Sequence, residues 1–270
     1  MRVVQGAVMA AVLMSSAAAG EASKSWTASG KWEVEFADQQ CFAIRNYMAG
    51  ERKVQVVFEA VPTGEGASLY LIVPAEELNS FKEAPVMIGS HVTEAGSLGE
   101  VSIGGPSRAA VFTYIKGEEL AALEAGGILG VGREGRLLQT GLSSLGTVRK
   151  LLKECTTDLL VHWGYSRAAQ DATATGPVPT WKPIQLFAPA DYPSGAIRRN
   201  ASGRVRALVE VGADGLPKTC RVVMSSRDPD LDSKTCSILS KNGRYTPAKD
   251  ATGRPVSAPL VSTITWVLPS

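Results

Sequence analysis

The stretch YPSGAIRRNASGRVRALVEVGADG, Tyr192 to Gly215, decides how the last third of the chain folds. Pro193 stands where a short helix can begin, because its fixed φ suits a first turn. From Arg204 the text alternates. Val205, Ala207, Val209 and Val211 fall on one side, and Arg204, Arg206, Leu208 and Glu210 on the other, the period of a strand. Asp214-Gly215 closes it as a hairpin turn, and Cys220, Val222 and Met224 resume the alternation on a second strand. Asp228 or Asp230 can cap a helix carrying Leu231, Thr235, Ile238 and Leu239, which Gly243 ends. LVSTITWVL, 260–268, is a last strand. The order over 189–270 is therefore short helix, strand, strand, helix, strand.

Upstream, residues 26–165 read as β-rich. Trp32, Val34 and Phe36 alternate, and the apolar runs 54–58, 69–73, 86–88 and 111–115 follow between Gly and Pro clusters. EELAALEAG, 118–126, suits a short helix. Leu142, Leu145, Val148, Leu151, Leu152, Cys155, Leu159 and Trp163 form one face of a longer closing helix, which Ser143 or Ser144 can cap. Residues 166–188 are rich in Ala, Thr and Pro without a period, a linker or loosely draped segment. The fold class is α+β, a β-rich N-terminal domain with a closing helix followed by a small three-stranded unit.

The N-terminus fits export. Arg2, an apolar run from Val3 to Met14 and Ala17-Ala18-Ala19 form a signal-peptide pattern over 1–19 with cleavage before Gly20; an uncleaved inner-membrane anchor is the alternative. The apolar run is shorter than the roughly 20 residues of a spanning helix. Four cysteines in an exported chain imply two disulfides. Cys220–Cys236 would staple the last helix to its sheet, which leaves Cys41 with Cys155, and crossed pairings are the other arrangement. Net charge is +2, too balanced for a nucleic-acid binder, but residues 189–270 carry +5 and the remainder −3. The two parts can attract each other, the basic part can face an acidic partner, or the charges are scattered surface charge.

No convergent chemistry stands out, so the reading is of a protein that is not an enzyme and has neither cofactor nor metal. Gly130-Val131-Gly132-Arg133-Glu134-Gly135 matches a dinucleotide fingerprint but lacks a preceding strand and reads as a glycine-rich loop. Asp228-Pro229-Asp230-Leu231-Asp232 lacks the Gly and Glu of a calcium loop. His91 in a loop region and His162 at the end of the closing helix have no second ligand at metal spacing.

The pattern of 189–270 resembles the TonB C-terminal domain. The pieces are Tyr192-Pro193 with Ala196, Gly203-Arg204-Val205, Asp214-Gly215, Val222-Val223, Ser225-Ser226, Leu231-Asp232, Tyr245-Thr246-Pro247-Ala248 and Gly253-Arg254-Pro255-Val256. The resemblance implies a three-stranded antiparallel sheet backed by two helices, in the periplasm. It also implies a grip on an extended peptide of an envelope partner, such as an outer-membrane transporter, added as a strand. The candidate edge is Leu260, Val261, Ser262, Thr263, Ile264, Thr265, Trp266 and Val267. The competing expectation is an edge paired in a homodimer or covered by the N-terminal domain. Many members of the family have Gly where Arg227 stands. An anchored energy transducer is the second functional reading, and a small-ligand binder or enzyme in residues 26–165 the third.

Overall fold

The computed structural model describes residues 26–74, 85–89, 91–95, 97–101, 108–132 and 138–268. The signal-like segment 1–19 lies outside them. Four antiparallel strands follow in meander, β1 (Thr27–Phe36), β2 (Cys41–Ala49), β3 (Arg52–Ala60) and β4 (Ala67–Ile72). Next come β5 (Pro85–Ile88), β6 (His91–Ala95), β7 (Ser97–Val101), β8 (Arg108–Ile115), α1 (Gly117–Glu124), β9 (Ile128–Val131) and β10 (Leu138–Gly141). Two sheets result, β1-β2-β3-β4-β8-β7 and β10-β9-β5-β6.

The period-2 pattern explains the larger sheet. Val54, Val56 and Phe58 of β3 and Leu69 and Leu71 of β4 turn to one face. They are covered there by α2 (Leu145–His162), whose Leu145, Val148, Leu152, Cys155 and Leu159 form its buried stripe. A Cys41–Cys155 disulfide ties α2 to the start of β2. Neither serine caps α2 through its side chain: Ser144 is left-handed with φ 65, and the Ser143 hydroxyl accepts from Arg45 Nη1 at 2.9 Å.

The segment 166–188 is not loosely draped. It holds α3 (Arg167–Asp171), β11 (Val178–Pro179) and α4 (Pro183–Leu186). β11 pairs with β14 (Tyr245–Thr246), and Thr175 bridges to Lys249. Trp181 meets Tyr245 edge-on at 6.0 Å, and Phe187 meets Trp266 edge-on at 5.7 Å. The aromatic residues, which carry no period, find their partners only in three dimensions.

The C-terminal part follows the expected order: α5 (Ser194–Arg198), β12 (Gly203–Val211), β13 (Pro217–Met224), α6 (Pro229–Asn242) and β17 (Ala258–Trp266), with short β15 (Ala248–Lys249) and β16 (Pro255–Val256) pairing before the last strand. The sheet order is β13-β12-β17, all antiparallel. Val205, Ala207, Val209 and Val211 lie under α6 with Leu231, Ile238 and Leu239. Asp228 caps α6, its carboxylate accepting from the Asp230 and Leu231 amides. A second disulfide joins Cys220 of β13 to Cys236 of α6. Met224 departs from the expected alternation. A register shift sets Arg206 opposite Met224 but Ala207 opposite Val222, so a bulge at Val223 turns Met224 to the far face.

The residues shared with TonB-like sequences brace this unit. The Tyr192 hydroxyl donates to the Ala201 carbonyl, and its ring stands edge-on to Trp266 at 5.3 Å. Asp232 accepts from the Ser226 amide at 2.9 Å and from both the Ser225 and Ser226 hydroxyls. A Cβ on Gly215, at φ 74, would run into the Tyr245 carbonyl, so the turn residue is fixed by close approach as well as by its backbone.

Candidate partner-binding edge

The two parts of the chain are joined by a buried charged contact. Glu59, near the end of β3, is 1% exposed and Arg206, on β12, is 2% exposed. Arg206 Nη2 donates to Glu59 Oε1, and Nη1 donates to the Gln39 carbonyl at 2.9 Å. Arg204 Nη2 reaches the same carboxylate at 3.3 Å, while its Nη1 donates to the Tyr70 hydroxyl at 2.9 Å. Tyr70 in turn donates to Glu59 Oε2 at 2.5 Å. Burial alone would raise the Glu59 carboxyl, but the Arg206 and Arg204 charges and the Tyr70 hydrogen bond outweigh it and hold it below its ordinary value. Burial, then the Glu59 charge, pushes the Tyr70 phenol up to about 12. Around this centre Leu208 and Val261 enter the same core as Leu160 of α2 and Trp163, which follows its last residue. The sheet face opposite α6 is thus covered by the N-terminal part along Arg206, Leu208 and Val261, which leaves the sheet's edges as its outward backbone.

β17 is an outer strand of its sheet. Leu260, Ile264 and Trp266 pack on the α6 side. Val261, Thr263 and Thr265 turn to the other face; Val261 is buried, and the two threonines are exposed. In an antiparallel strand, alternate residues direct both backbone polar groups to the same neighbour. Val261 N–H points away from β12, since it donates to the Thr63 hydroxyl at 3.1 Å. The same parity aims the N–H and C=O of Thr263 and Thr265 outward. Pro259 falls on this parity too, where its missing N–H costs no ladder bond.

The eight predicted residues therefore divide. Val261 meets the β3–β4 loop, where Thr63 takes the left-handed φ of 70, while Thr263 to Val267 run on beyond that contact. Among the described residues no other strand pairs with this edge. Val267 is 72% exposed. Beside Ala258 and Pro259 a cleft of about 550 Å³ opens between the Thr63 loop, α2 and Gly176-Pro177. Arg149 at its rim is paired with Glu124 at 3.1 Å, and neither histidine lines it.

Of the other candidate motifs, the His91 and Gly130 readings change, while His162 and the aspartates fall where the sequence places them. His91 is the first residue of β6, not a loop residue, and His162 is the exposed last residue of α2. Gly130 and Val131 belong to β9 rather than to a glycine-rich loop, and residues 133–135 lie outside the described residues. The aspartates after Arg227 cap and brace: Asp228 and Asp230 both hold Arg199, at 2.7 and 2.8 Å. Among the described residues no group of three His, Cys, Asp or Glu could hold a metal ion, and no helix is long and apolar enough to cross a membrane. Sequence reading missed Thr63 and Glu59. Thr63 carries no local signal, and Glu59 reads as an ordinary solvent-side residue of a half-buried strand.

Residues 188–268 match the family model described as Gram-negative bacterial TonB protein C-terminal. A comparison with curated proteins finds no match to the chain. The match covers the α5–β17 unit and gives it a TonB-like, envelope-associated interaction role, in a family that is non-catalytic in general. The two disulfides agree, since such bonds persist in oxidising, extracytoplasmic compartments.

Proposed function

We propose that the chain is a periplasmic interaction protein, exported by the segment 1–19, whose TonB-like C-terminal domain grips an extended segment of an envelope partner by adding it as a strand to the outer edge of β17. The partner class is the extended periplasmic segment of an outer-membrane transporter. The observation that carries this reading is the outward backbone of Thr263 and Thr265 on an outer strand whose α6-side residues, Leu260, Ile264 and Trp266, are buried. Strand addition needs such a row of free donors and acceptors, and a buried sheet face leaves the edge as the remaining backbone surface. In this reading residues 26–165 form a second domain fixed to the first through Glu59, not a flexible spacer. A rigid two-part molecule suits recognition better than force transmission across a distance, which favours binding over the anchored-transducer reading.

The test is a screen of synthetic transporter N-terminal peptides against the full chain, read by residue-resolved amide exchange. Protection of Thr263 and Thr265 by at least one peptide, lost in a Thr265→Pro variant that retains its fold, is the expected result. A full screen with no change at β17 contradicts the proposal.

A further inference from the structure

The N-terminal strands are laid out in a way that gives them a part in the proposed edge site. The β1–β2 turn lies at β13, where Gln40 Nε2 contacts Met224 Sδ at 3.4 Å. Glu59 of β3 lies beneath Arg206 of the central strand β12. The β3–β4 loop lies at β17, through Thr63 and Val261. The β1–β2 turn, β3 and the β3–β4 loop therefore meet β13, β12 and β17 in turn, and Tyr70 of β4 reaches Arg204 beside Thr265. The next strand in the N-terminal sheet is β8, on the far side of β4. Neighbouring strands are about 4.8 Å apart in any sheet. A strand added outside β17 is the next step in that same progression, and it falls above β8.

The face that β8 presents there is aromatic. Tyr70 pairs with Phe112 and Ser68 with Tyr114 in the β4–β8 register, so all four residues share the face that carries Glu59. Phe112 and Tyr114 are 38% and 52% exposed. The Phe112 ring lies 6.1 Å from that of Tyr70, whose hydroxyl bonds Arg204, and Arg204 is opposite Thr265. Tyr114 abuts Gly66 in the loop that carries Thr63. Charge is uneven along this line. At the Thr265 end two guanidiniums share the single Glu59 carboxylate, which leaves net positive charge. At the Thr63 end Tyr114 lies in the field of Glu65 and Glu119.

We infer that the partner site is a corner with two walls, the β17 edge and the Phe112–Tyr114 shelf of β8. Its occupant is an extended peptide with aromatic or large apolar side chains on the face turned to β8 and an acidic residue at the Thr265 end. Thr63 marks where pairing with β17 stops. This inference rests on strand addition at β17 and adds the second wall and the chemistry of the ligand. It also gives the N-terminal part a direct share in recognition.

Two synthetic ten-residue peptides test it on the full chain. One alternates threonine with tyrosine and carries one terminal aspartate; the other has serine in place of each tyrosine. The expected result is at least tenfold tighter binding of the tyrosine peptide, with Thr263 and Thr265 protected. That preference is lost in Phe112→Ser/Tyr114→Ser, and aspartate-to-asparagine exchange in the peptide weakens binding. A benzophenone side chain in place of one tyrosine labels 108–115 in the unmodified protein, which keeps the test independent of the variant's folding. Equal protection by both peptides, with no label on 108–115, overturns the shelf and leaves strand addition standing. Protection of neither Thr263 nor Thr265 by either peptide overturns both.

Discussion

At the scale of single residues, the contact that fixes the molecule is Arg206 with Glu59. Removing one member of a buried ion pair leaves the other uncompensated, at a cost of about 3–5 kcal/mol. Arg206→Ala is expected to lose stability in that range by urea denaturation, with Glu59→Leu/Arg206→Met closer to the parent protein than the single change. A midpoint for Arg206→Ala equal to that of the parent would show that the contact is solvated in solution. Arg227 illustrates a second residue-scale effect. It holds φ 73, a conformation that costs a side-chain-bearing residue about 1 kcal/mol or more relative to glycine. Its amide is held by the Ser225 hydroxyl at 2.9 Å, which fixes the turn. Arg227→Gly is expected to raise stability by about 0.5–1 kcal/mol, the relief of the left-handed conformation less the backbone entropy of glycine, measured in the same way. The family's preference for Gly here marked the position from sequence, and the left-handed backbone supplies its cause.

At the scale of elements, the Cys220–Cys236 bridge closes a loop of 16 residues between β13 and α6. A loop of that length contributes about 3 kcal/mol in the chain-entropy account. Cys220→Ser/Cys236→Ser is expected to lower stability by about that amount and to loosen α6 first, visible as faster amide exchange at Ile238 and Leu239. Unchanged exchange there would assign the holding of α6 to its packing on β12 alone. The elements of this unit were legible in the sequence because their periods are local: three valines and an alanine alternating in β12, a capping aspartate before α6, glycine at the turn. Helix α2 was legible for the same reason. The segment 166–188 was not, because Trp181 and Phe187 take their places from Tyr245 and Trp266, some 60 to 80 residues away in sequence. The outer strand β17 was found, but not which half of it is met by Thr63. That division depends on one hydroxyl in a loop of another sheet, which no alternation encodes.

At the scale of the whole molecule, the acidic and the basic part meet in one largely buried charged contact. Glu59 is the acidic group, and Arg204 and Arg206 are the basic ones. The folded carboxyl is held below its ordinary value of 4.5, so the stability it contributes is present in full above that value and is lost as pH falls through the folded one. The chain is therefore expected to lose stability on acidification below about pH 4.5 more steeply than Glu59→Leu/Arg206→Met, in matched urea titrations. Parallel pH profiles would remove the pair from the account. The same joint shapes the β17 edge, since it covers the face of β12 and sets Thr63 against Val261. The most direct measurement is residue-resolved amide exchange of the full, disulfide-intact chain with no partner added. The account predicts slow exchange at Val261, held by Thr63, and fast exchange at Thr263 and Thr265, with Leu260, Ser262 and Ile264 slow on the β12 side. Uniformly slow exchange from Val261 to Thr265 would mean that the edge is already occupied, by this chain or a second copy, and would contradict strand addition as the protein's function.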